Sequence, residues 1–150
     1  MTKILVLNGP NLNFLGIREV DVYGREDYDS LRQLIAKKGA SENILVECFQ
    51  SNYEGAIIDK IQESFFDGIT QGIVINPGAY AHYSYAIRDA LASVPTLKVE
   101  VHISDIKERA ESWRHTTVTA EACDLLITGH GFNGYLEAID YLLEKIQKNG

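Results

Sequence analysis

The sequence predicts an α/β fold, a parallel sheet with helices packed on both faces. Three observations predict it. Short apolar runs alternate with amphipathic stretches about five times along the chain. Asparagine, glycine and proline punctuate the ends of the runs, as in turns leaving strands. The 150 residues suffice for one domain with a substantial core. Strand and helix in strict alternation is the pattern that parallel pairing requires, because each crossover needs a connection long enough for a helix. Five such units in this length predict a flavodoxin-like three-layer sandwich with strand order 2-1-3-4-5, in a single domain spanning residues 1–150.

Each element has its own signal. Residues 4–7 (ILVL) are a short apolar run, read as a buried strand. A polar turn, NGPNLN, follows, and then a long connector over residues 14–27 that carries Arg18 and Tyr23. Connectors of this length are often lids or binding loops. Residues 28–38 read as helix: Leu31, Leu34 and Ile35 share one face, Asp27 or Asp29 can cap the start, and Gly39 is expected to end it. Residues 44–49 form the second strand, and 53–66 the second helix, with Ile57, Ile58, Ile61 and Phe65 at helical spacing. Residues 72–75 form the third strand, followed by a second polar turn over 76–82 and a helix over 83–91. The fourth strand covers 97–103 and leads into a polar loop, 104–117, that holds Arg109, Trp113 and Arg114. One helical turn is expected at 120–123, a fifth strand at 125–128, and a last helix over 134–148. That helix presents Ala138, Ile139, Leu142, Leu143 and Ile146 on its apolar face.

Composition narrows the function. The chain is 45% hydrophobic and 23% charged, ordinary for a water-soluble globular protein, and no run is long enough to span a membrane. A net charge of −7 argues against nucleic acid or an anionic membrane as the main partner. An anionic ligand would need a local arginine cluster to overcome that field. Cys48 and Cys123 fit neither a zinc nor a CxxC pattern and read as buried thiols. With no secretory leader ahead of the first strand, a cytoplasmic location is expected.

In this fold class ligands bind outside the carboxyl ends of the strands, at the switch point between strands 1 and 3. Both asparagine-rich turns leave those two strands, and the turn after strand 4, with His102 and Ser104, lies beside them. Three polar segments therefore converge on one crevice. Within it His102 is the best acid or base, because Glu100 lies two residues earlier on the same strand and points to the same face. A carboxylate there would orient the imidazole and favour its protonated form. Tyr23 and Arg18 are the second pair. A free tyrosine ionises near pH 10 and is a poor base at pH 7. A guanidinium within reach, from Arg18 with help from Arg109 or Arg114, can lower that pKa by roughly 1–3.

Other chemistries fit poorly. GHGFNG at 129–134 matches GxGxxG between a strand and a helix, yet no later strand supplies an acidic ribose contact. Its glycines are better read as a tight last turn. A phosphoacceptor domain would need aspartates where Asn8 and Asn76 stand. No cluster has metal-ligand spacing. A Schiff base needs a lysine in a dry pocket; Lys3 and Lys98 fall at strand starts, and Lys107, the one lysine near the crevice, sits in a hydrophilic loop.

Taken together, the segments ILVLNGPNLNFLGIRE, VYG, QSNYEGAIID, GIVINPGAYAHYSYAIRDAL, VEVHIS and GHGFNGY resemble type II 3-dehydroquinate dehydratase (type II dehydroquinase) over nearly the whole chain. The resemblance implies a flavodoxin-like fold, a homododecamer built as a tetramer of trimers, no cofactor, and the small-molecule substrate 3-dehydroquinate. Water would leave by anti elimination to give 3-dehydroshikimate, in aromatic biosynthesis or quinate breakdown. Carried over by position, Tyr23 would remove the C2 proton with Arg18 lowering its pKa, and Asn11 would stabilise the enolate, through a water. His102, oriented by Glu100, would protonate the leaving C1 hydroxyl. Asn76 with the segment of Ile103 and Ser104 would hold the carboxylate, and His82 and Arg114 the ring hydroxyls. Asp89 would reach a neighbouring subunit's site, and Arg109 would belong to the lid region. The chain departs from the usual pattern at Tyr53 (commonly histidine) and Asp105 (often asparagine). It also departs in a 107–115 loop one residue longer than usual, and in lacking a proline after the glutamate of REVDVYG.

Overall fold

The structure, a computed structural model, describes residues 1–23 and 26–149, and of Val20 and Tyr23 the backbone only. Five strands, β1 (Lys3–Asn8), β2 (Leu45–Gln50), β3 (Thr70–Asn76), β4 (Leu97–His102) and β5 (Leu125–Thr128), form one parallel sheet in the order β2-β1-β3-β4-β5. The helices are α1 (Val20–Tyr23), α2 (Tyr28–Ser41), α3 (Glu54–Phe66), α4 (Tyr85–Ser93) and α5 (Asn133–Asn149). The strand order expected from the alternation is the observed one.

Period-two alternation sorts the strand side chains into two cores. Ile4, Val6, Val74, Val99 and Val101 face one side and pack with Leu31 and Ile35 of α2 and Tyr135, Ala138, Ile139 and Leu142 of α5. Leu5, Leu7, Ile73 and Ile75 face the other side and meet Ile57 and Ile61 of α3 and Ile87 and Leu91 of α4. Strand β4 breaks this symmetry. On the α3–α4 side it presents Lys98, Glu100 and His102, all buried. The segment 116–123 covers this polar stripe where the other strands have a helix.

Two of the element ends that differ from expectation have a clear local cause. Gly39 lies inside α2, which continues to Ser41. A Cβ on Gly39 would sit 2.7 Å from Val46 Cγ2, so this glycine lets the helix approach β2 and does not stop it. The reversal falls to Asn43, in the left-handed region at φ 56°. The helix after β3 starts at Tyr85, because the Ser84 side chain caps it by accepting from Ile87 N–H. Residues Gly78–His82 form a separate 3-10 turn. Cys48 and Cys123 are free and half-buried, and burial pushes the Cys48 thiol up and that of Cys123 up to about 12. Gly129 and Gly131 take φ of 83° and 60°, the turn geometry that a side chain would strain.

Candidate active site

The turns leaving β1 and β3 interlock. Gly9 N–H donates to Asn76 O at 2.8 Å, and a Cβ on Gly9 would lie 2.3 Å from Pro77 O. Gly78, at φ 61°, sits against Pro10 O in the same way. Only glycine permits this contact, so the repeated pairing of glycine with proline in NGP and NPG fixes the floor of a cleft. Beneath it the Tyr135 hydroxyl, fully buried, donates to Asn8 Oδ1 (2.6 Å) and accepts from Asn76 Nδ2 (2.9 Å). Asn76 Oδ1 in turn accepts from Gly78 N–H at 3.1 Å. The amide of Asn76 is thus locked in orientation, and one of its two N–H bonds is used by Tyr135. Tyr135→Phe leaves two buried amide groups without that partner and is expected to cost about 1–3 kcal/mol of stability. Urea unfolding at unchanged slope with a lower midpoint would show it.

The cleft holds about 580 Å³ including its mouth. Arg18, Arg109 and Arg114 line it with His82 and His102, and no aspartate or glutamate does among the described residues. In a chain of net charge −7 this is a local reversal of sign, and it suits an anionic ligand. Asn11, Asn76, Ile103 and Ser104 complete the polar lining. Asn11 takes φ 69°, a conformation asparagine tolerates, and its N–H donates to Asn52 Oδ1 at 3.0 Å. Asp105 turns its carboxylate back onto Lys107 N–H and does not enter the lining. The longer loop still delivers Arg114 to the cleft. Its guanidinium lies 4.2 Å over the Trp113 ring, and Nε is 3.2 Å from Glu111 without hydrogen-bond alignment.

The two imidazoles stand 6.1 Å apart, nearly parallel. His102 Nε2 contacts Glu100 Oε2 at 2.7 Å, so the acceptor carboxylate fixes which ring nitrogen is engaged and leaves Nδ1 for a ligand. Glu100 is fully buried and also accepts from Thr117 (2.6 Å) and from Thr119. His82 Nδ1 donates to Thr116 O at 2.7 Å, so its Nε2 is the free acceptor of a neutral ring. Burial, with the nearby charges of His102 and Arg114, holds His82 below the usual histidine range. The edge of Trp113 packs on His82 at 5.4 Å.

Around the rim, Arg109 reaches Ser104 Oγ at 3.4 Å and Glu19 at 3.2 Å. Glu19 also pairs with Arg18. The loop leaving β4 is thereby tied to the connector after β1. The hydroxyl and ring of Tyr23 lie outside the described residues; its backbone ends α1, next to this rim. Asp89 is on α4, its side chain 78% exposed, and does not line the cleft of its own chain. Lys98, the lysine that burial holds below the usual range, donates to Thr96 O at 2.6 Å at the opposite end of β4. Among the described residues no lysine lines the cleft, and no group of three or more His, Cys, Asp or Glu is placed to hold a metal ion.

Sequence reasoning therefore placed the lining residues but missed what stands behind them. Tyr135 bonds the lining residue Asn76, and Thr117 and Thr119 bond Glu100 behind His102. Tyr135 had a usable signal, since it falls three and four residues before Ala138 and Ile139 on the buried face of α5. The threonines lie in a polar loop with no periodicity.

Comparison with known proteins finds relatives over nearly the whole chain. The family described as "Dehydroquinase class II" matches residues 2–143. A 3-dehydroquinate dehydratase of Lachnospira eligens is 54% identical over 97% of this chain and 99% of its own length. One from Lachnoclostridium phytofermentans is 57% identical over 94% and 96%. A crystal structure of type II dehydroquinase from Butyrivibrio crossotus superposes with a TM-score of 0.92 at 63% identity, covering 94% of this chain and 97% of that one. Sheet order, interlocked turns and full-length similarity converge, and the chain belongs to the class II dehydroquinase family.

Proposed function

We propose that this protein is a type II 3-dehydroquinate dehydratase, a hydro-lyase acting through an enolate and without a Schiff base, and that residues 1–150 form one catalytic domain. The observation that carries the reading is a cleft with three arginines, two histidines and, among the described residues, no lining carboxylate, backed by the buried Glu100–His102 pair. The substrate is a carboxylate bearing a ring ketone, so its charge finds arginines and its ketone finds fixed donors.

Tyr23, made basic by Arg18, takes the C2 proton. The electron pair moves onto the ketone oxygen, and Asn11, through a water, stabilises the enolate. When the carbonyl re-forms, the C1=C2 double bond forms and the C1–O bond breaks. His102 gives its proton to the departing hydroxyl, which leaves as water. Base on the rim and acid on the sheet lie on opposite sides of the ring, which an anti elimination needs. Asn76 with Ile103 and Ser104 holds the carboxylate, while His82, as a neutral acceptor, and Arg114 hold ring hydroxyls. Closure of the rim, tied through Arg109 and Glu19, excludes water and strengthens every charge interaction inside. The same reading assigns the chain to a cytoplasmic homododecamer in which Asp89 reaches a neighbouring site, with no cofactor. The pathway is aromatic biosynthesis or quinate breakdown.

The test is turnover of 3-dehydroquinate by the purified protein, followed by the ultraviolet absorbance of the conjugated enone product. Product is expected, and borohydride added with substrate is expected to leave activity intact. No product, or a reduced lysine adduct, overturns the reading.

A further inference from the structure

We propose that Thr117 and Thr119 are positioning residues whose hydroxyls clamp Glu100 as the fixed acceptor that aims His102. This rests on the reading above, in which His102 delivers a proton to the leaving hydroxyl.

Glu100 has no exposed surface, and an ionised carboxylate can only accept. The structure records three donors to it. His102 Nε2 and Thr117 Oγ1 meet Oε2 at 2.7 and 2.6 Å, and Thr119 Oγ1 meets Oε1. Thr117 Oγ1 also accepts from Ala120 N–H at 3.3 Å and lies 3.1 Å from Thr119 Oγ1, but its shortest contact is the one to the acceptor Glu100. Thr119 is itself fully buried, where a hydroxyl without an acceptor would be unfavourable. One threonine per carboxylate oxygen stops the carboxylate from rotating, and a fixed Oε2 fixes the plane of the His102 ring.

The strap that carries both threonines, residues 116–119, also reaches the second imidazole. Thr116 O accepts from His82 Nδ1 at 2.7 Å, and Val118 N–H anchors the strap to Ala81 O at 2.8 Å. Residues 116–119 therefore hold both rings in register across 6.1 Å, one through a carbonyl and one through Glu100. A purely structural strap would need only to cover β4, and valine at both positions would cover it as well. Hydroxyls aimed one at each oxygen of the same carboxylate are what the clamp adds.

The experiment compares Thr119→Val with Thr119→Ser, and Thr117→Val as the less buried variant. Thr119→Val is expected to lower kcat roughly 10–100-fold while KM moves less than about threefold. Thr119→Ser keeps the hydroxyl and should stay within about threefold of wild type in both. In a His102→Ala background the valine substitution should lower kcat by less than about twofold, because its route to the reaction is gone. A substrate-free measurement runs alongside: the His102 Nε2–H proton resonance is expected in wild type and Thr119→Ser and lost in Thr119→Val. Unchanged kcat in both valine variants, equal damage from valine and serine, a full valine effect without His102, or an unmoved resonance overturns the clamp. If wild type fails to turn over 3-dehydroquinate, the functional reading falls, and the resonance still decides the clamp.

Discussion

Tyr23→Phe is expected to abolish turnover of 3-dehydroquinate while leaving ligand binding largely intact. The substitution removes one oxygen and keeps the ring. What is lost is the proposed base. A free phenol ionises near pH 10, so about one molecule in a thousand is phenolate at pH 7. A nearby guanidinium that lowers the pKa by roughly 1–3 raises that fraction by about ten- to five-hundredfold. Arg18 lines the cleft, but its charge is partly answered by Glu19, which also takes Arg109 at 3.2 Å. In the proposed mechanism Glu19 therefore competes with the base for the charge of Arg18. Loss of a positioned base costs typically 10²–10⁴-fold, and a phenyl ring has no residual proton acceptor. The check pairs steady-state kcat with calorimetric binding of the 3-hydroxy analogue of the substrate, which lacks an acidic C2 proton. A near wild-type kcat would take the phenol out of the mechanism. Weak binding with a normal kcat would instead make Tyr23 a binding residue.

The parts of this molecule that were legible in its sequence are those where one residue's choice is dictated locally. Strand faces follow from period-two alternation, which put Ile4 and Val6 in one core and Leu5 and Leu7 in the other. The crevice followed from topology, because NGP and NPG end adjacent strands. Glu100 and His102 could be paired on sequence because two residues apart on a strand means one face. What was not legible depends on contacts between distant segments. Gly39 looks like a helix stop until Val46 is seen against it. Whether a glycine ends a helix or admits a neighbour is decided 7 positions later in the chain, by the strand that follows. The segment 116–119 has no apolar period, because its polar groups bond the buried Glu100 and the ring of His82. A polar segment that covers polar groups resembles an ordinary surface loop. Tyr135 was hidden for a related reason: an aromatic on an apolar helix face reads as core, and its hydroxyl finds Asn8 and Asn76 only once α5 docks.

His102→Ala is the second large effect, and its form distinguishes an acid from a binding group. The imidazole is 6% exposed, with Nε2 held by Glu100 at 2.7 Å, so Nδ1 is the nitrogen that can meet a leaving hydroxyl. Hydroxide is a poor leaving group, and proton delivery in the transition state converts it to water. Losing that delivery is expected to lower kcat by roughly 10²–10⁴-fold. In the proposed mechanism the C2 proton is removed by a different residue, so enolate formation should survive. Exchange of the C2 proton with deuterated solvent is then expected to continue in His102→Ala after dehydration has all but stopped, whereas Tyr23→Phe should lose both. Truncation also strands Glu100, fully buried and left with its two threonine donors, and taking one donor from a buried acceptor costs about 1–3 kcal/mol. A thermal melt on the same variant separates that folding penalty from the chemical one. His102→Gln offers a neutral donor of similar reach; it should recover part of the stability and little of the rate, since an amide cannot give up a proton at neutral pH. A normal kcat in either variant would refute the acid role, and loss of solvent exchange together with dehydration would move His102 into the enolate-forming step.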